Sequence, residues 1–351
     1  MSVHILDAMA REGFEEVVAL HDRSSGLRGF LGVHDTVRGP AFGGIRRWTY
    51  RDEREALLDV LRLARAMTRK AALLDLPAGG GKVVLLEREG VDWPAAYRYL
   101  GAHLERMGGR FQAGPDVATG AEELREVRRT TQHVTDPAEA GPGELAEATA
   151  EGVFRAVEVA LRALDGDGSV AGRTVVVQGL GAVGLGLARR LSERGARVLA
   201  ADLAPERVAA AAASLGIEPV EAGAAVGLPC DVFAPCALGG LLHDLTVQRL
   251  RCRAVVGAAN NVLARPLVGD RLHERGILYA PDFIVNAGAL VRGVLFHREG
   301  RREPVAAIGA RIAEVLEDVL RRAGDAGEPP ARAAAALADD RIDAWRAAEL
   351  R

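Results

Sequence analysis

Lysine is nearly absent from this chain. Of 45 basic residues in 351 positions, only Lys70 and Lys82 are lysine and the other 43 are arginine. An arginine-favouring codon usage accounts for the 43, because one solvated cation serves as well as another on a surface. The two exceptions ask for an amine. Lysine can be brought to lose its proton near neutral pH by desolvation or a neighbouring cation, and arginine cannot. Cysteine is also scarce: Cys230, Cys236 and Cys252 are odd in number and have no metal-ligand spacing. That excludes a disulfide framework and a thiolate metal site, and predicts buried thiols in a reducing, cytoplasmic compartment with no bound metal. No apolar run approaches the ~20 residues of a membrane span, and MSVHILDAMAREGFEE lacks the basic start and apolar run of a signal peptide. No membrane partner is expected. Charge of either sign is balanced, with a formal net of −3 and no charged tail, so nucleic acid is not an expected partner either.

The length predicts two domains, drawn at 1–140 and 141–325, with a helix over 326–351 packing back on the first. Residues 14–50 hold two short apolar runs around SSGL, which suit a hairpin-like strand pair. Leu57, Leu61, Ala64 and Met67 recur at helical spacing over 54–68, so Lys70 sits at a helix end. The breaker LPAGGG leads to Lys82 and the buried strand VVLL. Helices are predicted over 94–107 and 120–129, with GPDV in a loop between them. DPAEAGPGE, near residues 136–144, is the predicted boundary. Beyond it, helix and buried strand alternate: a helix over 147–164, then RTVVVQG, GLGAVG, a helix and RVLAAD, then further apolar runs. This pattern predicts a parallel sheet covered on both faces. Two helices, near 304–323 and 331–349, close the chain and are placed to pack back on the first domain.

Gly179, Gly181 and Gly184 form G-x-G-x-x-G between a strand ending at Gln178 and a helix beginning near Gly184. Asp202 closes the next strand, 23 positions after Gly179. That set is the dinucleotide-binding fingerprint, in which phosphates rest on the helix N-terminus and the acidic side chain accepts from the ribose 2′-hydroxyl. Asp202 repels a 2′-phosphate and favours NAD over NADP, a preference that Arg207 moderates. GGGK is not a phosphate loop, because no Ser or Thr and no helix follow Lys82. Gly79, Gly80 and Gly81 are instead expected to clear space for a small ligand at Lys82. Lys70 is expected to set a second ammonium beside it, so that one cation holds a carboxylate and the other works as a base. Asp116 in GPDV is placed to relay protons.

MTRKAALLDLPAGGGK, GPAFGGIRRW, GPDVATG, QGLGAVG, APCALGGLL, GAANN and APDFIVNAG together resemble the amino acid dehydrogenases of the glutamate, leucine, phenylalanine and valine group, most of all its leucine and phenylalanine branch. The resemblance runs in order through nearly the whole chain. It implies an α/β substrate-binding and oligomerisation domain followed by a Rossmann NAD domain, with the active site in the cleft between them. It also implies reversible oxidative deamination of an L-amino acid to a 2-oxo acid and ammonium in a cytoplasmic homo-oligomer, a dimer or larger. By matching motif, Lys70 binds the substrate carboxylate, Lys82 is the general base and Asp116 the proton shuttle. Gly43 and Gly44 line the pocket and Asn286 helps hold the carboxylate. Thr149 lies near the nicotinamide, and Gly179, Gly181, Ala182, Val183, Gly184, Asp202 and Asn260 bind the cofactor.

Glutamate-using members of the group place a lysine directly before the glycine pair, where this chain has Phe42. With both lysines assigned, none remains for a second substrate carboxylate, so an apolar side-chain pocket is expected, for a branched aliphatic or aromatic amino acid. Several positions depart from the branch: Pro115 replaces Glu, Ala118 replaces Gly, Ala289 turns NAGG into NAGA, Glu147 replaces Pro, and LVRGVLFHREG replaces an acidic segment. These changes bear on pocket shape. Two alternatives stay open: a biosynthetic dehydrogenase for an aromatic or unusual amino acid such as tryptophan, and an NAD-binding regulatory protein without turnover.

Overall fold

The computed structural model describes residues 5–135, 141–237 and 239–349. The predicted boundary at 140 lies outside the described residues. The chain divides into two compact units. The first comprises Met1–Gly143, Gly293–Arg302 and Asp339–Arg351, and the second Glu144–Arg292 and Glu303–Ala338. This differs from the expected limits, because the chain returns to the first unit twice and the final helix is shared between the units.

The first unit is built on one sheet with strand order β1-β2-β4-β3-β5. Its strands are β1 (Glu16–His21), β2 (Arg28–Asp35), β3 (Ala41–Trp48), β4 (Gly79–Leu86) and β5 (Phe111–Pro115). β1 and β2 form an antiparallel hairpin and β2 pairs antiparallel with β4. β3 lies parallel between β4 and β5. Sequence pattern alone did not give β3, because its glycines and arginines break the apolar alternation.

Gly79–Gly81 are the first residues of β4 rather than a breaker. A Cβ at Gly80 would stand 2.1 Å from the backbone nitrogen of Thr68, and one at Gly81 would stand 2.4 Å from the Phe111 ring. The room they leave is taken by a helix on one face and an aromatic ring on the other, not by a ligand as expected. That helix, Glu53–Leu73, starts at Asp52, whose side chain accepts from the Glu55 N–H. It seats Leu57, Val60, Leu61 and Ala64 against Val84, Leu86 and Phe14. It runs past the predicted end at 68 and carries Lys70 in its last turn. Its C-terminal carbonyls are satisfied by the final helix, where Arg341 donates to Leu73 O at 2.7 Å and to Ala72 O at 3.2 Å. Arg346 pairs with Asp35 at 2.9 Å and Arg69 with Asp339 at 2.6 Å. Cations at a helix C-terminus also complement its dipole.

Among the described residues the second unit holds six parallel strands: β6 (Thr174–Gln178), β7 (Arg197–Ala201), β8 (Glu218–Pro219), β9 (Pro229–Pro235), β10 (Arg251–Val255) and β11 (Leu278–Tyr279). Their order is β11-β10-β9-β6-β7-β8, so the chain starts in the middle and winds outward both ways, leaving a switch point between β6 and β9. Val176, Leu199, Phe233 and Val255 lie in the core on one side. The helix Val305–Ala326, expected near 304–323 and placed to pack back on the first domain, instead lies against Leu145–Asp165 in this unit. The approach is close because a Cβ at Gly152 would stand 2.5 Å from Ile312, and one at Gly309 2.8 Å from Glu151. Among the described residues no helix is long and apolar enough to cross a membrane.

The helix seat on β4 is testable. Gly80→Ala should destabilise the protein by about 1–3 kcal/mol, the usual cost of overpacking, read as a lower urea midpoint. An unchanged midpoint would mean that the helix does not press on the strand.

Candidate active site

Parallel pairing in register places Lys82 of β4, Gly44 of β3 and Gly114 of β5 side by side on one sheet face. Side chains alternate along strands, so Gly80, Phe42 and Gln112 form the preceding row of that face, and Arg46 stands on the following one. Lys82 is 5% exposed, and its Nζ meets Asp116 Oδ2 at 2.5 Å. Gly44 makes that meeting possible: a Cβ there would stand 2.8 Å from Asp116 Cβ and 3.1 Å from Lys82 Nζ.

A second cation completes the site, and sequence reading missed it. Arg46 donates from Nε to Asp116 at 3.2 Å and from Nη1 to Asp59 at 3.1 Å. Asp59 also accepts from the Tyr50 hydroxyl at 2.7 Å and from Arg62 at 2.9 Å. Burial pushes the Lys82 ammonium below its ordinary 10.5; Arg46 acts in the same sense and Asp116 against it. Burial alone would raise the Asp116 carboxyl, but Lys82 and Arg46 outweigh it and hold the group well below the usual carboxylate range. Arg46 thus acts on Lys82 as a neighbouring cation. Lys70 itself is buried in the last turn of its helix, two residues beyond the Thr68 that abuts Gly80.

Asp116 opens a tight turn in which the Thr119 N–H donates to Asp116 O at 3.0 Å. Ala118, standing where the resemblance calls for glycine, has φ +54°. It therefore occupies the left-handed region that glycine enters without strain. Phe42 is buried, its ring centroid 6.1 Å from that of His297.

In the second unit the three fingerprint glycines separate by task. Gly179 has φ +98° and faces Ala237, where a Cβ would stand 2.8 Å away. A Cβ at Gly184 would stand 1.9 Å from Gly179 O, so that glycine lets the helix meet the turn. A Cβ at Gly181 meets nothing within 4 Å. Its missing side chain serves no packing in the protein and leaves a cradle open. Ala182, Val183 and Gly184 begin the helix Ala182–Glu193, which starts two residues earlier than predicted, has no side-chain cap and no acidic residue in its first turn. Its positive end is thus uncompensated and suits phosphate. Asp202 accepts from the Leu180 N–H at 2.7 Å and the Ala204 N–H at 2.9 Å, with Arg207 3.9 Å away.

Thr149 donates to Leu145 O at 3.0 Å and accepts from the Ala289 N–H at 3.1 Å, which ties its helix to the NAGA turn. Asn286 spends its amide hydrogens on Ala258 O at 3.1 Å and Asn260 Oδ1 at 2.9 Å. Its own Oδ1 is buried without a partner. That atom can only accept, so it suits an N–H, such as a carboxamide or ammonium, better than the carboxylate expected there. The open cradle, the bare helix end, the Asp202 carboxylate and this orphaned acceptor together fit a dinucleotide with a carboxamide head. The three cysteines belong to no such site. Burial pushes Cys230 up to about 12, and Cys236 and Cys252 to about 11, so none is a nucleophile.

Comparison with known proteins agrees with this layout. Residues 15–133 match the Glu/Leu/Phe/Val dehydrogenase dimerisation domain. Residues 141–203 and 204–296 match the glutamate/leucine/phenylalanine/valine dehydrogenase domain. A leucine dehydrogenase of Thermoactinomyces intermedius is 37% identical over 97% of this chain and 94% of its own length. A phenylalanine dehydrogenase of Bacillus thermotolerans is 35% identical over 94% of this chain and 88% of its own. The crystal structure of L-tryptophan dehydrogenase from Nostoc punctiforme superposes with a TM-score of 0.81 at 33% identity, covering 97% of this chain and 99% of that one.

The glycine roles predict opposite outcomes. Gly181→Ala should leave the thermal midpoint within about 1 °C, because its Cβ meets no protein atom, and should weaken NADH binding roughly tenfold by calorimetry, since closeness of backbone to pyrophosphate is lost. Gly184→Ala should lower the midpoint by several degrees. Equal effects in the two variants would refute the division.

Proposed function

We propose that this chain, which belongs to the glutamate/leucine/phenylalanine/valine dehydrogenase family, is an NAD-dependent L-amino acid dehydrogenase acting on an apolar side chain, branched aliphatic or aromatic. The reaction converts amino acid, NAD⁺ and water to 2-oxo acid, ammonium, NADH and a proton, and it is reversible. When bound, the dinucleotide supplies the acceptor for the hydride that leaves the substrate Cα. The single observation that carries the reading is the buried Lys82–Asp116 pair, 2.5 Å apart, on a chain that spends one of its two lysines there.

Lys82, with its affinity for protons lowered by burial, takes a proton from the water that adds to the substrate iminium carbon. Asp116 is the relay. While Lys82 is charged, Asp116 is held ionised; once Lys82 is neutral that hold is relaxed and Asp116 can take up the next proton, so the two titrate as a pair. Lys70 holds the α-carboxylate, and Gly43 and Gly44 bring backbone against the substrate. Phe42 supports the apolar assignment, since it stands where a second carboxylate would need a cation. Gly179, Gly181, Ala182, Val183, Gly184 and Asp202 hold the pyrophosphate and the adenosine ribose, and a free 2′-hydroxyl at Asp202 favours NAD. Asn260, Asn286 and Thr149 form the nicotinamide end. The match to a dimerisation domain supports a homo-oligomer, and the scarcity of cysteine supports a cytoplasmic one.

Purified protein with NAD⁺ at alkaline pH should form NADH with leucine, valine, phenylalanine or tryptophan and not with glutamate; the reverse result would refute the assignment. The pH profile carries a sign. Deamination kcat/KM should rise with pH as Lys82 loses its proton and level off below the ordinary lysine value of 10.5. Arg46→Met removes a cation that depresses Lys82, so the rising limb should move to higher pH. An unmoved limb with reduced rate would make Arg46 merely structural.

A further inference from the structure

The sheet face that carries Lys82 and Asp116 is closed on one side and built on the other. Toward the C-terminal end of β3, Arg46 and Asp59 fill the space with a buried ion pair. Toward its N-terminal end lie Phe42 and, directly across the register on β5, Gln112. Gln112 and Thr135 are buried polar residues, 8% and 6% exposed. Residues 133–135 line the edge of β5, with Ala113 N–H donating to His133 O at 3.0 Å and Thr135 N–H to Ala113 O at 2.8 Å. This sets Thr135 Oγ1 3.7 Å from where a Cβ of Gly114 would be, beside the Lys82 row.

His297 closes the group. Its Nε2 is 3.5 Å from both the Gln112 amide and the Thr135 hydroxyl, long separations that leave these groups weakly satisfied. Burial, with Arg128 nearby, keeps the imidazole pKa below its ordinary value, so the ring is neutral and retains an acceptor nitrogen. The same wall thus offers a phenyl ring from Phe42 and two hydrogen-bond acceptors, the Gln112 carboxamide oxygen and the Thr135 hydroxyl, beside a His297 nitrogen that the Gln112 amide engages only at 3.5 Å.

We infer that Gln112, Thr135 and His297 form the distal wall of the substrate side-chain pocket, and that they select a flat aromatic side chain bearing a hydrogen-bond donor, an indole N–H or a phenol O–H, over an aliphatic one. The inference rests on the deamination reading, which puts the substrate Cα at Lys82. From that row the Arg46–Asp59 pair closes one direction, and Phe42, Gln112 and Thr135 stand in the other. An aliphatic group there leaves buried polar atoms facing hydrocarbon, which is costly, whereas a ring stacks along Phe42 and its donor reaches the wall. A site built to bond a polar group discriminates strongly against an analogue that lacks it.

The test compares kcat/KM for L-tryptophan, its isostere L-3-benzothienylalanine, in which sulfur replaces the N–H, and L-leucine. Wild type should prefer tryptophan to the isostere roughly tenfold or more, and both to leucine. His297→Leu and Gln112→Met should bring the first ratio toward unity and lower the preference for tryptophan over leucine. Equal use of tryptophan and its isostere by wild type, or leucine preferred over both, overturns the inference, as does an undiminished ratio in both variants. Calorimetry with the unreactive indole-3-propionate and benzothiophene-3-propionate reads the pocket without turnover. Preferential binding of the indole acid by a protein that reduces no NAD⁺ sinks the deamination reading and keeps the pocket. Deamination of leucine with no preference between the two acids does the reverse.

Discussion

An ammonium and a carboxylate held together out of water govern the first unit. Neither Lys82 nor Asp116 is tolerable alone on that face, because leaving one charge buried without its partner costs about 3–5 kcal/mol. The pair therefore imposes conditions on its surroundings. Gly44 must lack a side chain so that the two can meet. Arg46 must balance Asp116 and Asp59 together, and Tyr50 and Arg62 must satisfy what remains of Asp59. The glycine run before Lys82 follows from the same economy of space, since it lets one helix lie directly on the strand that presents the amine.

The second unit solves a different problem, the presentation of backbone rather than of charge. Its fingerprint turn is braced from beneath, where Asp202 accepts from the Leu180 N–H. Two helices are locked together by Arg190, which pairs with Glu147 and also with Glu151 at 2.8 Å. Arg190 and Glu151 are mostly buried, and each satisfies the other. Glu147, where the leucine branch usually has proline, is thereby explained. It adds a second carboxylate to a clamp between the helix that carries Thr149 and the helix that opens at the glycine loop.

Much of this was legible in the residues. Lys82 and Asp116 were singled out by rarity and motif, and the structure sets them in contact. The alternation of helix and buried strand announced the parallel sheet, and the spacing from Gly179 to Asp202 marked its first turn. What escaped was non-local. β3 has no apolar alternation, so AFGGIRRW read as pocket lining. Arg46 is one arginine among 43, and nothing nearby in sequence marks it as the partner of residues 13 and 70 positions away. His297 was passed over as part of a segment that departs from its relatives. One of the two closing helices also packs elsewhere: Val305–Ala326 has Gly309 pressed on Glu151, a packing choice that periodicity cannot express, while Arg341 and Arg346 of the final helix reach the first unit as expected.

By itself the sequence determined which groups could do chemistry, because a lysine kept among arginines and a glycine kept in a turn are constraints on single residues. It determined the order of strands and helices along the chain for the same reason, since propensity and periodicity are local. Only the tertiary structure decided which cation tunes Lys82, which glycine packs against a neighbour and which stands open, and what stands at the far end of the Phe42 row. Those answers depend on distances between residues far apart in the chain, and such distances exist only once the sheet has set its register.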